Sequence, residues 1–557
     1  MKDQIIKALH KASGVKDVQL EHPTEAEHGD YSSNVALVAA NKGKNPKDRA
    51  SEIVKKLQED KDLEGMVDKI EVAGPGFINF WLANDVLGKE LQLALKNGER
   101  YGKSKSEVGK KVIVEYTDPN PFKVFHIGHL FSNSVGEALS RLFEAGGAQV
   151  KRANYQGDVG VHTAKAIWGI QKMGGLGKAG KSLAQRVKFL SDAYVMGNEA
   201  YEKGGEVKSA IEEINKKLYG GDQELVKIWK EGKEWSLDQF EVIYKRLGTK
   251  FDFYYFESEV GKDGLELVKD NLKKGIFKED QGAVIFPGEA HGLHNRVFVS
   301  SQGLPTYEAK ELGLAPKKYK DFPYDLSIIV TGSEITEYFK VLLKALEKVN
   351  PKLAEKTKHV PHGMVRVPGG KMSSRTGDVL GGEWLLDEAK KRLQKSYKMS
   401  DEVAEQVAVS AVKYALLKSG IGKDVVFDFD TSLSFEGDSG PYLQYTHART
   451  QSVLAKSKVK SQKSKVGKVN SEEATVLRTF YKFPEVVAES ASKLAPNVLC
   501  TFLYDLATKY NRLYNTHRIL EAESEEAKAL RLAITKVTGN ILKVGLDLLG
   551  IKAPRKM

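Results

Sequence analysis

Residues 112–129 read VIVEYTDPNPFKVFHIGH and contain the start of a predicted sheet domain. The run opens with a short β-branched stretch, Val112–Tyr116, which is typical of a buried strand. A proline-rich turn follows, and helical spacing then extends from about Gly128 to Glu144. Val150–Tyr155 can form a second strand. A strand, a loop, a helix and a strand within about 45 residues predict a βαβ unit, and hence an α/β fold with a parallel, doubly wound sheet.

The rest of the chain divides around this sheet. Residues 1–100 combine helical patterns with two short strand patterns and a glycine-rich turn, so we expect a small α+β domain there. The sheet domain is predicted over 108–400, because a further apolar strand, Leu326–Val330, lies within that range. A charged, mostly helical segment at about 170–300 is interpreted as an insertion into the sheet domain. Residues 401–557 have helical periodicity and no strand pattern, so we predict an all-α domain.

Composition and charge narrow the class of protein. The 557 residues are 41% hydrophobic and 29% charged, as in a globular protein with a large core. The single cysteine, Cys500, excludes disulfide frameworks and cysteine-paired zinc sites, and its apolar neighbours indicate a core thiol. A net charge of +12 favours a polyanionic partner or anionic substrates, although a generally lysine-rich surface would give the same surplus. No apolar run approaches the about 18 residues of a membrane span, so we expect a cytoplasmic protein that does not enter membranes.

Two histidines stand at the start of the predicted helix. His126 and His129 are three residues apart, so they would lie on the same side of its first turn. The exposed N–H groups of such a turn attract phosphate, and Gly128 would let a nucleotide approach the backbone closely. The two imidazoles could then donate hydrogen bonds to a phosphate during an in-line displacement. A metal-binding pair and two ordinary surface histidines are the alternatives.

A second informative segment, 369–377, reads GGKMSSRTG. Glycines bracket a basic, hydroxyl-rich loop of the kind that can close over a triphosphate. Lys371 and Arg375 would supply charge, while Ser373 and Ser374 would donate hydrogen bonds. The segment does not fit a P-loop, which requires Gly-Lys-Ser/Thr directly after a strand. A basic surface turn is the alternative.

Together the two segments resemble the HIGH and KMSKS motifs of class I aminoacyl-tRNA synthetases. More narrowly, the chain resembles the arginyl-tRNA synthetase family, and the resemblance spans nearly its whole length. The further matching blocks are, in chain order, His28–Tyr31 with Asn34, Val114–Tyr116, Pro119–Pro121, Leu304–Glu311, Phe435–Gly437, Gly440–Tyr445, Leu503–Leu506 and Tyr510–Tyr514. Their joint occurrence in this order is more specific than any single block.

The resemblance implies a fold, a reaction and partners. The sheet domain would be a Rossmann-type catalytic domain, the N-terminal domain would contact the elbow of tRNA(Arg), and the C-terminal domain would bind its anticodon. ATP, with Mg²⁺ on its phosphates, would activate L-arginine to arginyl-adenylate, and the arginyl group would then pass to tRNA(Arg). Bound tRNA is expected to be needed for the first step. Neither zinc nor a covalent nucleophile is expected, and the expected state is a monomer.

The resemblance also assigns residues to catalysis and to ATP. The catalytic set is His126, His129, Lys123 and Lys371, and the ATP-binding set is Gly128, Ser373, Ser374 and Arg375. The family's loop motif has a second lysine at the place of Ser374. Either Lys123, upstream of the histidines, or Arg375 would restore that charge.

The arginine-binding set implied by the resemblance is Glu115, Asn120, Tyr307, Glu311 and Glu334. Tyr307 and Glu311 would bind the guanidinium, since a planar cation suits a paired carboxylate and an aromatic wall. The family usually has Asp in place of Glu311. The alternative for Glu311 is a helix-surface acid that pairs with Lys310 or Lys318.

The tRNA-binding set implied by the resemblance is Tyr442, Tyr445, Arg449, Arg512 and Tyr514. Their rings would stack on splayed bases and their cations would reach phosphates. Three other functions stay open: a class I synthetase for another amino acid, a non-catalytic tRNA-binding paralogue, and a general nucleotidyltransferase. The predicted cation-binding pair argues against the first, the intact histidines and Lys371 against the second, and the helical C-terminal domain against the third.

Overall fold

The computed structural model of the protein describes residues 1–39, 45–368, 380–457 and 469–557. These residues fall into two units, which are described separately. The first unit contains Met1–Tyr101, Arg449–Glu485 and Asp505–Ile541, and the second contains Gly102–Ala448, Val486–Tyr504 and Leu542–Met557.

The N-terminal part of the first unit is a small α+β domain, as predicted. Its elements are α1 (Lys2–Ser13), β1 (Tyr31–Ser33), α2 (Val35–Ala39), α3 (Pro46–Gln58), β2 (Val67–Ala73), β3 (Phe77–Leu82) and α4 (Asn84–Asn97). The strands form an antiparallel sheet in the order β1-β3-β2. Gly29 precedes β1 with φ +87°, and a Cβ there would lie 2.5 Å from the Phe80 carbonyl oxygen, so only glycine fits this approach to β3.

The second unit contains the sheet domain. Its elements are β4 (Lys111–Glu115), α5 (Ile127–Ala145), β5 (Gln149–Gln156), α6 (Val161–Lys172), α7 (Leu183–Glu202), α8 (Gly205–Tyr219), α9 (Gln223–Leu247), β6 (Phe253–Phe256), α10 (Glu257–Leu272), β7 (Lys278–Asp280), β8 (Ala283–Phe286), β9 (Arg296–Val299), α11 (Tyr307–Asp321), β10 (Leu326–Gly332), α12 (Thr336–Val349), α13 (Pro351–Glu355), β11 (Thr357–His362), β12 (Val365–Arg366) and α14 (Gly382–Ser396).

Five strands of this domain form one parallel sheet in the order β11-β10-β4-β5-β6. The predicted parallel, doubly wound sheet is therefore confirmed. The strand order reverses between β4 and β10, and in such sheets ligands bind outside the carboxyl ends of the strands at this switch point. Apolar side chains of the sheet and of α10 to α12, among them Ile113, Ile329, Leu312 and Val341, form a buried core beneath that edge.

The predicted insertion at about 170–300 is only partly an insertion. β6 lies inside that range, yet it pairs in parallel with β5 and forms an edge of the central sheet. The four helices α6 to α9 separate β5 from β6 along the chain. The three strands β7, β8 and β9 form a separate antiparallel sheet.

Helices dominate the described residues after 400. The elements are α15 (Asp401–Leu417), β13 (Val425–Val426), α16 (Phe429–Ser432), α17 (Gly440–Lys456), α18 (Ser471–Phe480), α19 (Lys482–Ser492), α20 (Pro496–Thr516) and α21 (Glu525–Leu548). The two-residue strand β13 is an exception to the predicted absence of strands, because it pairs with β12.

The division into units differs from three independent domains. Residues 1–101 share their unit with segments of the C-terminal helices. Partly buried polar contacts explain this: the Asp30 carboxylate accepts a hydrogen bond from Arg478, and the Tyr31 hydroxyl donates to Glu485 at 2.5 Å. Among the described residues no helix is both long and apolar enough to cross a membrane. Cys500 is buried on α20, as expected of a core thiol.

Candidate active site

The loop between β4 and α5 holds three residues in the left-handed region of backbone conformation. Thr117, Asp118 and Phe122 have φ angles of 81°, 46° and 69°. Hydrogen bonds hold all three in place, and the N–H of Phe122 donates to Ser236 Oγ at 3.0 Å. The N–H of Thr117 donates to Ser132 Oγ at 2.9 Å, and the Asp118 carboxylate accepts the N–H of Tyr155 at 2.8 Å. Strained backbone of this kind clusters at binding and catalytic sites and persists where its neighbours enforce it.

His126 and His129 cap the N-terminus of α5. His126 Nδ1 accepts the N–H of Gly128 at 3.2 Å, and His129 Nδ1 accepts the N–H of His126 at 3.0 Å. The two rings stack with their centroids 3.7 Å apart. Because a backbone N–H can only donate, both Nδ1 atoms are acceptors, and in neutral rings each proton lies on Nε2. Neither Nε2 atom has a hydrogen-bond partner among the described residues, so both N–H groups can serve a ligand.

Both histidines are neutral at physiological pH. Burial, followed by the positive charge of Lys123, lowers the pKa of His126 to about 4. Burial also lowers the pKa of His129 well below its ordinary value, and His126 and Lys123 add to the effect. The first turn of α5 therefore presents two uncharged N–H donors, which suits hydrogen bonding to phosphate oxygens that gain charge during a reaction.

Lys123 supplies a cation three residues before His126. Its ammonium lies 5.1 Å from the centre of the Tyr194 ring, and within the part of the chain that is described it forms no hydrogen bond or ion pair. Burial and the charge of Lys165 lower the pKa of Lys123 to about 8, so it is mostly protonated at neutral pH. A half-buried ammonium of this kind is available for a phosphate group.

The basic loop predicted to close over the triphosphate lies outside the described residues. Lys371, Ser373, Ser374 and Arg375 all belong to this segment. Its flanks are described, and both contact α5 or the residues before it. On one side Ile127 N–H donates to Leu380 O at 3.2 Å and Gly382 N–H donates to Phe125 O at 2.8 Å. On the other side the ring of His362 packs on Phe131, with centroids 4.5 Å apart.

Glu115 ends β4 beside β10, at the switch point of the sheet. Its carboxylate accepts a hydrogen bond from Lys318 Nζ at 2.6 Å, and both side chains are 2% exposed. The resemblance placed Glu115 in the arginine-binding set. The structure pairs it with a lysine of α11, so any contact with substrate would be shared with that ion pair.

Asn120 stands at the same edge, between the strained loop and β5. Its Oδ1 accepts the N–H of Gly157 at 3.1 Å, which leaves its amide nitrogen as a donor without a partner among the described residues. A Cβ on Gly157 would lie 2.4 Å from Asn120 Oδ1 and 3.0 Å from Glu257 Oε1. Because Gly157 has no side chain, the Asn120 amide has room to lie at this position.

Tyr307, at the start of α11, is oriented by a buried histidine. His162 Nε2 lies 2.8 Å from the carbonyl oxygen of Gly157, which can only accept, so Nε2 carries the proton. The hydroxyl of Tyr307 then donates to His162 Nδ1 at 3.1 Å. Burial lowers the pKa of His162 well below its ordinary value, so this neutral tautomer persists. The remaining lone pairs of the Tyr307 hydroxyl are left to accept from a cationic group.

Glu311 carries the unpaired carboxylate of the site. Among the described residues nothing forms a hydrogen bond or ion pair with it. Lys310 pairs instead with Glu257 at 2.6 Å. Lys318 pairs with Glu115, so the interpretation of Glu311 as a surface acid bound to either lysine is wrong. Burial, followed by the negative charge of Glu115, raises the pKa of Glu311 well above its ordinary value.

Glu334 lies just beyond the carboxyl end of β10, in the single turn of 3₁₀ helix Ser333–Ile335. Its side chain is exposed and folds back over Gly332, where a Cβ would lie 2.1 Å from its carboxylate. The structure therefore puts Glu334 just past the carboxyl end of the strand that pairs with β4.

Three residues near these groups were not singled out from the sequence as functional. Lys318 neutralises Glu115, His162 orients Tyr307, and Asp118 adds a further carboxylate to the loop after β4. Lys318 follows Glu311 at the i, i+7 spacing of one helix face, a signal that was available. Asp118 stands directly before the Pro-Asn-Pro turn, whereas no local pattern marks His162.

The residues assigned to tRNA lie in both units. In the first unit the Arg449 guanidinium lies 4.6 Å from the centre of the Tyr514 ring and donates to Asn511 at 2.6 Å. Arg512, on the same helix as Tyr514, is an exposed cation whose guanidinium lies 3.6 Å from Glu472. In the second unit Tyr442 packs against Tyr504 and Tyr445 against Phe435, with ring centroids 5.9 Å and 6.0 Å apart.

Three family models match this chain. The model described as "tRNA synthetases class I (R), catalytic domain" matches residues 90–429, which is more than half of the chain. The chain belongs to the arginyl-tRNA synthetase family. The family's N-terminal domain model matches residues 1–82, and the DALR anticodon binding domain model matches residues 443–557.

Named relatives of this family match this chain over nearly its full length. The arginine--tRNA ligase of Treponema denticola is 33% identical over 96% of this chain and 94% of the relative. That of Clostridium perfringens is 31% identical over 97% and 96%. The Thermus thermophilus arginyl-tRNA synthetase structure covers 100% of both chains with a TM-score of 0.84 and 25% identity. The Plasmodium falciparum enzyme, at 22% identity and a TM-score of 0.80 over 100% and 98% of the chains, shares the fold.

Proposed function

We propose that the protein activates L-arginine with ATP and transfers the arginyl group to tRNA(Arg). The observation that carries this proposal is the chemistry gathered at the carboxyl edge of the parallel sheet. Two neutral Nε2–H donors begin α5, and an unpaired carboxylate follows Tyr307 by one turn on α11. The two N–H donors suit a phosphate, and the carboxylate with Tyr307 suits a guanidinium.

Arginine is bound through both of its ends. Glu311 accepts hydrogen bonds from the guanidinium, and the Tyr307 ring and its oriented hydroxyl form the adjoining wall. Asn120 donates its free amide N–H to the substrate carboxylate. Glu115, held by Lys318, and Glu334, at the end of β10, attract the α-ammonium group.

The first step is an in-line displacement at the α-phosphate of ATP. An oxygen of the arginine carboxylate forms a bond to the α-phosphorus, and the bond to the oxygen of the leaving pyrophosphate breaks. His126 and His129 donate Nε2–H hydrogen bonds to the phosphate oxygens as charge shifts, and Gly128 leaves room for the adenine ring. Positioning and charge stabilisation are sufficient for this chemistry.

Cations and hydroxyls bind the triphosphate. Lys123 is available from the loop before α5, and Lys371, Ser373, Ser374 and Arg375 would close over the phosphates from the loop beyond the described residues. The contacts of Leu380 and Gly382 with Phe125 and Ile127 support a shared site, because they anchor one end of that loop beside the histidines. Lys123 then compensates for the serine at position 374.

Magnesium fits this site as a companion of ATP. Over the described ranges no group of three or more His, Cys, Asp or Glu side chains is arranged to hold a metal ion. Mg²⁺ often keeps its waters and is held by substrate phosphates and one or two carboxylates, so the ATP phosphates would be its main ligands. When bound, it neutralises the phosphates and the leaving pyrophosphate.

The transfer step requires tRNA, whose terminal ribose hydroxyl attacks the arginyl carbonyl and releases AMP. In the C-terminal helices Arg449, Arg512 and Tyr514 offer cations and a ring to one part of the tRNA, and Tyr442 and Tyr445 offer rings to another. In the N-terminal domain a cavity of about 450 Å³ is lined by His28, exposed Phe77 and Asn79, groups that suit a splayed nucleotide at the elbow. A cytoplasmic monomer is the proposed working form.

Aminoacylation of total tRNA, with each amino acid supplied separately, tests this function. We expect charging with arginine alone, and we expect arginine-dependent ATP–pyrophosphate exchange only when tRNA is present. Charging with lysine or glutamate in place of arginine would overturn the assignment of substrate. Binding of tRNA without charging by any amino acid would favour a non-catalytic paralogue.

A further inference from the structure

Three carboxylates and one lysine meet at the switch point of the sheet. Glu115 and Lys318 form an ion pair at 2.6 Å in which both side chains are 2% exposed. Asp118 and Glu311 lie close enough to Glu115 for its charge to raise the pKa of each, after burial itself. If all three carboxylates were ionised, the one ammonium would leave two negative charges uncompensated.

Protein groups among the described residues do not balance this excess negative charge. Asp118 accepts one backbone N–H, from Tyr155, and Glu311 has no hydrogen-bond or ion-pair partner among the described residues. The hydroxyl of Tyr155 is itself buried without a hydrogen-bond partner in that part of the chain. Buried ionised carboxylates that lack cations are strongly disfavoured. Asp118 and Glu311 are half-buried, so the pocket favours balancing this charge either with two positive charges from a ligand or with protons.

Building on the proposed function, we propose that Asp118 is a third carboxylate of the arginine pocket and that protons balance the pocket's excess charge until arginine displaces them. Arginine at neutral pH carries a guanidinium and an α-ammonium group, which match the two uncompensated charges. As these cations bind, the carboxyl groups of the pocket ionise and their protons pass to solvent. Asp118 thereby sets specificity, because a neutral side chain would leave one carboxylate unmatched.

The other titratable groups around the pocket do not supply this proton exchange. Tyr155 on β5, Tyr338 on α12 and Tyr244 on α9 stay protonated, since burial raises the pKa of each hydroxyl. Glu257 on α10 is matched by Lys310 at 2.6 Å. Nearby Arg296 faces Tyr338 but is bound to Glu308 at 3.1 Å. Asp118 and Glu311 remain as the groups whose protonation depends on the ligand.

The sign of the pH dependence follows from the direction of these pKa shifts. The pKa values of Asp118 and Glu311 in the free pocket are raised, so both carboxyls gain protons as the pH falls through those raised values. Bound cations favour the ionised forms. The affinity for arginine should therefore weaken as the pH falls through those raised values, by up to about tenfold per unit for each proton released.

Isothermal titration calorimetry of the full-length protein with L-arginine measures the released protons directly. Titrations at pH 7 in phosphate and in Tris differ in heat in proportion to the number of protons exchanged with the buffer. We expect a net release of protons to the buffer when arginine binds. Agmatine, which has both cations but no carboxylate, should also release protons, whereas L-citrulline, whose side chain is neutral, should release fewer. Binding of arginine without proton exchange between pH 6 and 8 would overturn the inference.

The Asp118→Asn variant tests whether Asp118 is a source of the released protons. Asparagine can still accept the Tyr155 N–H through its amide oxygen, so the loop should keep its fold, but one titrating carboxyl is lost. We expect proton release to fall by at least half and the affinity for arginine to weaken about tenfold or more. Asp263→Asn, on the exposed face of α10, removes the same charge elsewhere and should change neither quantity. Wild-type proton release in Asp118→Asn would exclude Asp118 from the pocket.

Aminoacylation of the same wild-type preparation separates this inference from the proposed function. If tRNA is charged with arginine but arginine binds without releasing protons, the inference is wrong and the proposed function stands. If tRNA is not charged with arginine, the proposed function is wrong, and the assignment of the arginine pocket is wrong with it.

Discussion

At the scale of single residues, the tautomer of His129 decides which hydrogen bond this side chain could donate to ATP in the proposed reaction. Its Nδ1 is occupied by the N–H of His126 at 3.0 Å, so its proton lies on Nε2. The amide oxygen of asparagine ends near the position of Nδ1 and can accept the same N–H, but asparagine has no atom at the position of Nε2. A substitution at His129 can therefore keep the capping contact at the Nδ1 position while removing the Nε2–H that would donate to phosphate.

We expect His129→Asn to lose about 10²–10³-fold in arginine-dependent exchange, because one preorganised donor to the transition state is gone. Its thermal stability should stay close to that of the wild type, since the cap is kept. His129→Ala should lose as much exchange and also about 1 kcal/mol of stability. Exchange assays with tRNA and thermal unfolding measure both effects, and tRNA affinity should be unchanged. Normal exchange in His129→Asn would remove this donor from the mechanism.

Residue patterns along the chain predicted some of the candidate site and missed the rest for a physical reason. Tyr307 and Glu311 are four positions apart on one helix, so a local pattern is enough to pair them. Lys318 meets Glu115 across 203 positions, and His162 meets Tyr307 across 145. Such partners come together only when the sheet has formed, and no helical or strand periodicity carries that information.

At the scale of elements, the turn from β5 into α6 positions the Asn120 amide, which is proposed to bind the substrate. The N–H of Gly157 donates to Asn120 Oδ1 at 3.1 Å, and the backbone there has no positive φ. Any side chain at this position would meet Asn120 and Glu257 directly. A substitution therefore acts through contact alone, without backbone strain.

We expect Gly157→Ala to raise KM for arginine about tenfold or more, because the added methyl displaces the Asn120 amide and breaks its hydrogen bond. Gly177→Ala is the matched control, since a Cβ there meets nothing within 4 Å. Steady-state aminoacylation at varied arginine concentration measures both variants. Equal KM values in Gly157→Ala and the wild type would show that Asn120 does not contact the amino acid.

The sheet itself was largely predictable, because β4, α5 and β5 each carry a period that matches their structure. The strand β6 was not. It has four residues between a helix of 25 residues and a helix of 16, so its aromatic run was too short to stand out from charged helical sequence. Pairing with β5 in the folded sheet, rather than local preference, makes it a strand.

At the scale of the whole molecule, chain order and folded units differ. The N-terminal domain shares a unit with Arg449–Glu485, which comes more than 300 residues later in the chain. Asp30, at 2% exposure, connects the two segments. Its carboxylate accepts hydrogen bonds from Leu82 N–H at 2.7 Å, from Arg478 and from the Tyr481 hydroxyl. The sequence marked Asp30 as part of a family block, but its partners lie in another predicted domain.

We expect Asp30→Ala to destabilise this unit by roughly 2–3 kcal/mol, because it leaves a half-buried arginine and a buried N–H without their acceptor. Hydrogen-exchange mass spectrometry should then show faster exchange both in β3 and in α18, since the two segments unfold together. Asp68→Ala, on the exposed face of β2, removes the same charge and should leave exchange unchanged. Faster exchange confined to residues 1–101 would mean that the N-terminal domain folds independently of the C-terminal helices.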